Sequence, residues 1–224
     1  MRGDSSADQD LGLTGRFAPS PTGPLHMGSL VTALASYCDI KQRGGRWYLR
    51  IDDIDPVRTD PRAIADITRT LHVHGLIPDA DLRQQSHFVP RYERALQQLI
   101  EHCFYCRCSR SELQGHKLYP GYCRAITEKT SNRAVRIRVD PQRRSFIDAL
   151  KGNHDYVLAD DFGDFVIWRK DDLVTYHLAT ACDDAMDYSH VLRGDDLFES
   201  RDAPALLATR TRNHRVELRS AMLR

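Results

Sequence analysis

The sequence has no apolar run approaching the roughly 20 residues of a membrane-spanning helix. Its opening, Met1 to Asp10, has neither the basic stretch nor the apolar core of a secretory signal. A cytoplasmic, non-membrane protein is therefore expected. Charge of one sign is not in excess either: 32 Lys and Arg face 31 Asp and Glu, so no global field steers the chain to nucleic acid, and RNA contact would rest on local patches. No internal repeat appears, which excludes solenoid and propeller arrays. Cysteine is sparse, six in 224 residues, and in a reducing cytosol these do not build a disulfide framework. They are uneven, however: Cys103, Cys106, Cys108 and Cys123 crowd one segment while Cys38 and Cys182 stand apart. Such crowding points to a metal.

What is present is enough to bury a core. At 41% hydrophobic residues, the length suits one large domain carrying a small insert. Residues 1–13 have the Ser, Asp and Gly content of a disordered arm. Arg16-Phe17-Ala18 reads as a strand, Pro19 to Pro24 excludes helix and central strand, and Met27 to Lys41 places Leu30, Val31, Leu34, Ala35 and Cys38 at helical spacing. Arg43-Gly44-Gly45 stops that helix, and Arg46 to Ile51 is aromatic and branched enough for the next strand, giving a βαβ unit. Amphipathic helices are expected over Ile64 to His74 and Tyr92 to Cys103, and an irregular insert at about 103–124. Strands follow at Ala134 to Val139 and Asp164 to Arg169, a helix at Tyr176 to Asp184 and a strand at Ser189 to Gly194. The expected fold is α/β with a parallel sheet over residues 14–200, followed by a divergent or truncated tail over 201–224.

A strand, a Pro/Gly loop and a helix opening at His26-Met27-Gly28-Ser29 aim backbone N–H groups and a positive helix end at a site for phosphate oxygens. His26 can donate to phosphate, and Gly28 permits close approach of a base or ribose. Taken alone, a His-x-Gly string is more often a surface turn. Arg16 on the first strand, Asp52 just beyond the second and Arg193 on a later one are placed to meet at the carboxyl edge of a parallel sheet. Cations for two carboxylates and an anion for an ammonium suit an acidic amino acid, although any one of these residues by itself is more often a solvated ion pair. Cys106-x-Cys108 brings two thiolates close enough to grip one zinc ion. Cys123 offers a third, and Cys103, Tyr119, Tyr122, His102 and His116 compete for the fourth position.

The fourteen positions from Arg16 to Ser29 resemble the first signature of class I glutamyl-tRNA synthetases, with HMGS in place of the motif usually called HIGH. Ser29 in place of the second His is similar to the glutamyl-Q branch of that family. Arg50-Ile51-Asp52-Asp53, Tyr176-His177-Leu178-Ala179 and Leu192-Arg193-Gly194-Asp195-Asp196 match further motifs in order. The resemblance implies a Rossmann-like class I synthetase catalytic domain that binds glutamate through Arg16, Ala18, Ser20, Asp52, Tyr176 and Arg193. It implies ATP, with Mg2+, on Pro19, Thr22, Gly23, His26, Gly28 and Ser29, of which His26, Gly28 and Ser29 carry the catalytic role. It also implies one structural zinc on Cys106, Cys108, Tyr119 and Cys123. The branch acts as a monomer on tRNA(Asp), attaching glutamate to its queuosine base. Two departures stand out. The family usually has Glu where Asp52 stands, a side chain reaching about 1.3–1.5 Å further. Residues 201–224 contain no Lys-Ser-Lys string, whereas the family expects a helix, a strand and a second, lysine-bearing signature there. ATP activation by these 224 residues is thus expected to be slow. The alternatives are a glutamate- and ATP-binding remnant without catalysis, or a fragment of an enzyme charging tRNA(Glu).

Overall fold

A computed structural model describes residues 12–194 and 217–221. The expected arm lies outside the described residues except for Gly12 and Leu13, and the expected tail lies outside them except for residues 217–221. Strand β1 (Thr14–Phe17) leads through the proline loop into helix α1 (Met27–Lys41), which the His26 side chain caps by accepting the Ser29 N–H. The chain then turns at Gly44, with φ at +72°, into β2 (Arg46–Ile51), parallel to β1 from Thr14 opposite Arg46 to Phe17 opposite Leu49. Helix α2 (Pro61–Val73) starts where sequence chemistry favours a start, with an Asp60 cap and Pro61 in the first turn. A two-residue strand β3 (Arg83–Gln84) extends the sheet beyond β2.

The second half returns to this sheet. Helix α3 (Val89–Leu99) and helix α5 (Tyr176–Asp187) enclose an antiparallel sheet of β4 (Cys103–Cys106), β5 (Ala134–Ile137) and β8 (Phe165–Trp168). Between β5 and β8 lie a hairpin, β6 (Arg143–Asp148) with β7 (Gly152–Val157), and one helical turn, α4 (Leu158–Asp161). Strand β9 (His190–Gly194) then lies alongside β1, where the Ser189 N–H donates to the Thr14 carbonyl and the Thr14 N–H to the Ser189 hydroxyl. Glu217–Ala221 forms β10, parallel to β9.

Two apolar cores result. Phe17, Ile40, Trp47, Leu49, Ile51, Ile67 and Leu71 pack α1 and α2 on the parallel sheet. Tyr92, Leu99, Cys103, Ile137, Leu158, Ile167 and Leu178 pack α3 and α5 against the antiparallel one.

Three expectations need correction. The helix expected to run to Cys103 ends at Leu99, and one 3-10 turn leads to Cys103, which begins a strand. The insert is therefore not irregular from residue 103: Cys103 to Cys106 are all buried and paired with β5, and the irregular part begins after Cys106. The C-terminal segment, read as a divergent or truncated tail, supplies a strand at Glu217–Ala221, because five residues suffice once β9 offers a ready edge.

The turn into β2 leaves no room for a side chain. A Cβ on Gly45 would lie 2.6 Å from the Leu13 carbonyl oxygen, whereas one on Gly23 meets nothing within 4 Å. Gly45→Ala should therefore cost about 1–3 kcal/mol, lowering the thermal midpoint by several degrees, while Gly23→Ala leaves it unchanged in the same calorimetric scan.

Candidate functional site

At the carboxyl end of the parallel sheet three guanidinium groups converge on one buried carboxylate. Asp184 of α5 accepts from Arg16 Nε at 3.1 Å and Nη2 at 2.8 Å, from Arg50 Nη1 at 2.8 Å and from Arg193 Nη2 at 2.7 Å. β1, β2 and β9 each contribute one of these arginines, so the cluster ties the three strands to the helix. Burial alone would push the Asp184 carboxyl up. The adjacent Arg16, Arg50 and Arg193 more than offset it and hold the group well below the ordinary carboxylate range. Asp52 makes a bidentate pair with Arg50, at 2.7 and 3.2 Å, and burial raises it. Asp183, also raised by burial, accepts from Gln85 and Tyr92 and fastens α3 to α5.

Arg193 is the incompletely used member. It is 7% exposed, its Nη2 is committed to Asp184, and among the described residues its Nε and Nη1 have no hydrogen-bond partner. An orphaned, buried guanidinium edge is costly unless a ligand completes it. The neighbouring Tyr176 and His177 line a cleft of about 390 Å³ together with Ser20, Pro21, Thr22, Asp52, Asp55, Arg58 and Arg169. Burial, then Arg193, lowers the His177 pKa, so its imidazole is neutral near pH 7. Across the cleft Arg169 Nη1 donates to Asp55 Oδ2 at 2.8 Å, joining β8 to the loop after β2.

Of the residues expected to meet glutamate, Ser20, Asp52 and Tyr176 line this cleft, while Arg16 and Arg193 belong to the ion cluster. Thr22 reaches the cleft; Ala18, Pro19 and Gly23 lie in the same loop but are not among its lining residues. His26, Gly28 and Ser29 sit at the start of α1, also outside the lining. His26 Nδ1 accepts the Ser29 N–H at 3.2 Å, and its Nε2 lies 2.9 Å from the Ser29 hydroxyl. The helix cap is thus His26, not Ser29. Gly28 matters to that arrangement, since a Cβ there would press within 3.2 Å of the His26 ring.

Sequence reasoning missed Asp184, Arg50 and Asp183. A signal was available: two adjacent acids on a helix whose neighbours Ala179, Ala181 and Ala185 are apolar need buried cations.

The cysteine segment also closes on itself. The sulfurs of Cys106, Cys108 and Cys123 lie within 4.8 Å of one another. The Tyr119 hydroxyl lies 3.5 Å from the Cys106 sulfur and 3.7 Å from that of Cys108, and accepts the Cys123 N–H at 2.8 Å. Burial would raise the Cys123 thiol, but a backbone hydrogen bond from Arg107 and bonds to Tyr119, Cys108 and Cys106 bring it to about 7. Three soft donors and a phenol oxygen in this grouping fit a tetrahedral zinc ion. Of the competing ligands, Cys103 packs in the other core with its thiol on the Leu99 carbonyl, and Tyr122 pairs with His116.

A carboxyl held below its unfolded value contributes stability that is fully present at neutral pH and is lost as pH falls below the ordinary carboxylate range. Asp184→Asn should therefore cost about 3–5 kcal/mol at pH 7, by leaving guanidinium groups buried without their anion. The gap between variant and wild type should narrow as urea unfolding is repeated from pH 7 down to pH 3.

Residues 13–214 match the family model described as tRNA synthetases class I (E and Q), catalytic domain. The chain is 43% identical over 189 residues to the glutamyl-Q tRNA(Asp) synthetase of Acinetobacter baylyi, covering 83% of this chain and 65% of that protein. It is 42% identical over 199 residues to the Pseudomonas fluorescens protein of the same name, covering 87% and 67%. Among solved structures it superposes on a glutamate tRNA ligase from Elizabethkingia meningosepticum in complex with its amino acid, with TM-score 0.81 and 25% identity over 94% of this chain and 49% of the other. Glutamate-tRNA synthetase from Elizabethkingia anophelis gives TM-score 0.82 at the same identity, over 94% and 50%. The chain thus spans about two thirds of the length of these curated relatives and half that of the structures. On these matches the chain belongs to the class I (E and Q) tRNA synthetase family through its catalytic domain.

Proposed function

We propose that this chain activates glutamate with ATP and Mg2+ and transfers the glutamyl group to the queuosine base of tRNA(Asp). The observation that carries the reading is Arg193, whose buried Nε and Nη1 are unpartnered among the described residues and which neighbours the cleft residues Tyr176 and His177. A carboxylate of glutamate completes that guanidinium, and Ser20, which lines the same cleft, helps to hold the amino acid. Asp52 supplies negative charge for the ammonium while both its oxygens remain on Arg50.

Once bound, the α-carboxylate oxygen of glutamate attacks the α-phosphorus of ATP and pyrophosphate leaves with the electron pair of the broken P–O bond. The protein then contributes orientation and charge stabilisation rather than a nucleophile. His26 is the proposed donor to the phosphate, preset at the positive end of α1, and Pro19, Thr22, Gly23, Gly28 and Ser29 form the surrounding ATP loop. In the second half-reaction a hydroxyl of the modified base attacks the acyl carbon and AMP departs. Cys106, Cys108, Tyr119 and Cys123 are the proposed ligands of a structural zinc that holds the segment after β4 together and takes no part in the chemistry. The names of the curated relatives support the choice of queuosine, which the cleft residues alone do not specify.

Glutamate-dependent pyrophosphate exchange tests this, run first without tRNA and then with queuosine-containing tRNA(Asp). The reading expects exchange without tRNA, transfer to the modified tRNA, and a loss of about 100-fold or more in His26→Ala. Exchange only with tRNA(Glu) would favour an enzyme charging that tRNA. Binding of glutamate and ATP with no exchange would reduce the chain to a binding module.

A further inference from the structure

Tyr119 is held by more than its contact with sulfur. The Phe104 ring lies 5.7 Å from its own at 32°, the Cys123 N–H donates to its oxygen, and the Arg136 guanidinium carbon stands 4.1 Å from its ring centroid. Arg136 comes from β5 and is oriented by Nη1 donating to the Asp164 carbonyl at 2.9 Å. That partner is neutral. Among the described residues Arg136 makes no ion pair, and its buried Nε has no hydrogen-bond partner. The neighbouring Arg124 takes the Asp164 carboxylate instead.

A half-buried guanidinium without a counter-ion is costly, and its neighbours indicate where the missing anion arises. Around one divalent zinc, three thiolates and a phenolate carry a net charge of 2 − 4 = −2. That charge would form around the Tyr119 oxygen, at the end of the ring on which Arg136 stacks. The phenol oxygen lies at the far end of a ring, so a small rotation of the side chain displaces it further than it would a cysteine sulfur, and its use as a ligand needs a support that fixes the ring.

We propose that Arg136 is the positioning residue and counter-charge of the metal site, fixing the Tyr119 ring so that its oxygen meets the three cysteine sulfurs and balancing the anionic centre formed with zinc. This rests on the zinc reading above.

The test uses metal-free protein titrated with zinc against a chromophoric chelator, and with cobalt followed by its visible spectrum. Wild type should take up one zinc per chain and Cys106→Ser should lose it. Arg136→Met should bind about 10- to 100-fold more weakly and shift the cobalt bands, because the oxygen ligand is displaced. Arg136→Lys, which restores charge without the planar stack, should fall between. Arg136→Gln serves where the Met variant does not fold. A Met or Gln variant that binds zinc within about twofold of wild type, with an unchanged cobalt spectrum, overturns the role of Arg136 and leaves the zinc reading standing. Wild type without zinc, or full metal retention in Cys106→Ser, overturns both.

Discussion

A carboxylate taken out of water is destabilised by several kcal/mol unless cations and hydrogen-bond donors replace the lost solvent. Asp184 has three such replacements from three strands that are far apart in sequence: Arg16 is 168 positions away and Arg50 134. Arg16 and Arg193 have no other carboxylate partner among the described residues, while Arg50 shares itself between Asp184 and Asp52. The sheet edge, the position of α5 and the shape of the cleft therefore depend on one oxygen pair. The arrangement also biases the site, because Asp184 leaves Arg16 and Arg50 largely satisfied and concentrates the unmet hydrogen-bonding demand on Arg193.

Burial and the adjacent Arg193 lower the His177 pKa, and the Asp55 to Arg169 pair forms part of the cleft lining. The charged side chains that line the cleft, Asp52, Asp55, Arg58 and Arg169, are paired with one another or with Arg50 and Asp171. In the cysteine segment, too, a guanidinium is left incompletely paired: Arg136 stacks on Tyr119 and, among the described residues, makes no ion pair.

Much of this was legible in the sequence where local chemistry is decisive. Pro19 to Pro24 and Gly44-Gly45 bracket α1, so strand, loop, helix and strand could be placed to within a few residues. The spacing of Cys106, Cys108 and Cys123 announced their cluster. What escaped is long-range or weakly patterned. Asp184 has partners 134 to 168 residues away, and no local period reports them. The β6–β7 hairpin is polar and short of apolar alternation, and its turn rests on Gly152 with φ at +82°. Strand β4 was hidden because its two cysteines drew it into the insert, although all four of its residues are buried.

The central claim, that the unpartnered edge of Arg193 selects a carboxylate, is tested most directly by calorimetric titration with glutamate and with glutamine, which differ only in that group. Glutamate should bind more tightly by about 3 kcal/mol, or roughly 100-fold, and Arg193→Ala should erase most of that preference. Equal affinity for the two amino acids, or a preference that survives Arg193→Ala, would contradict it.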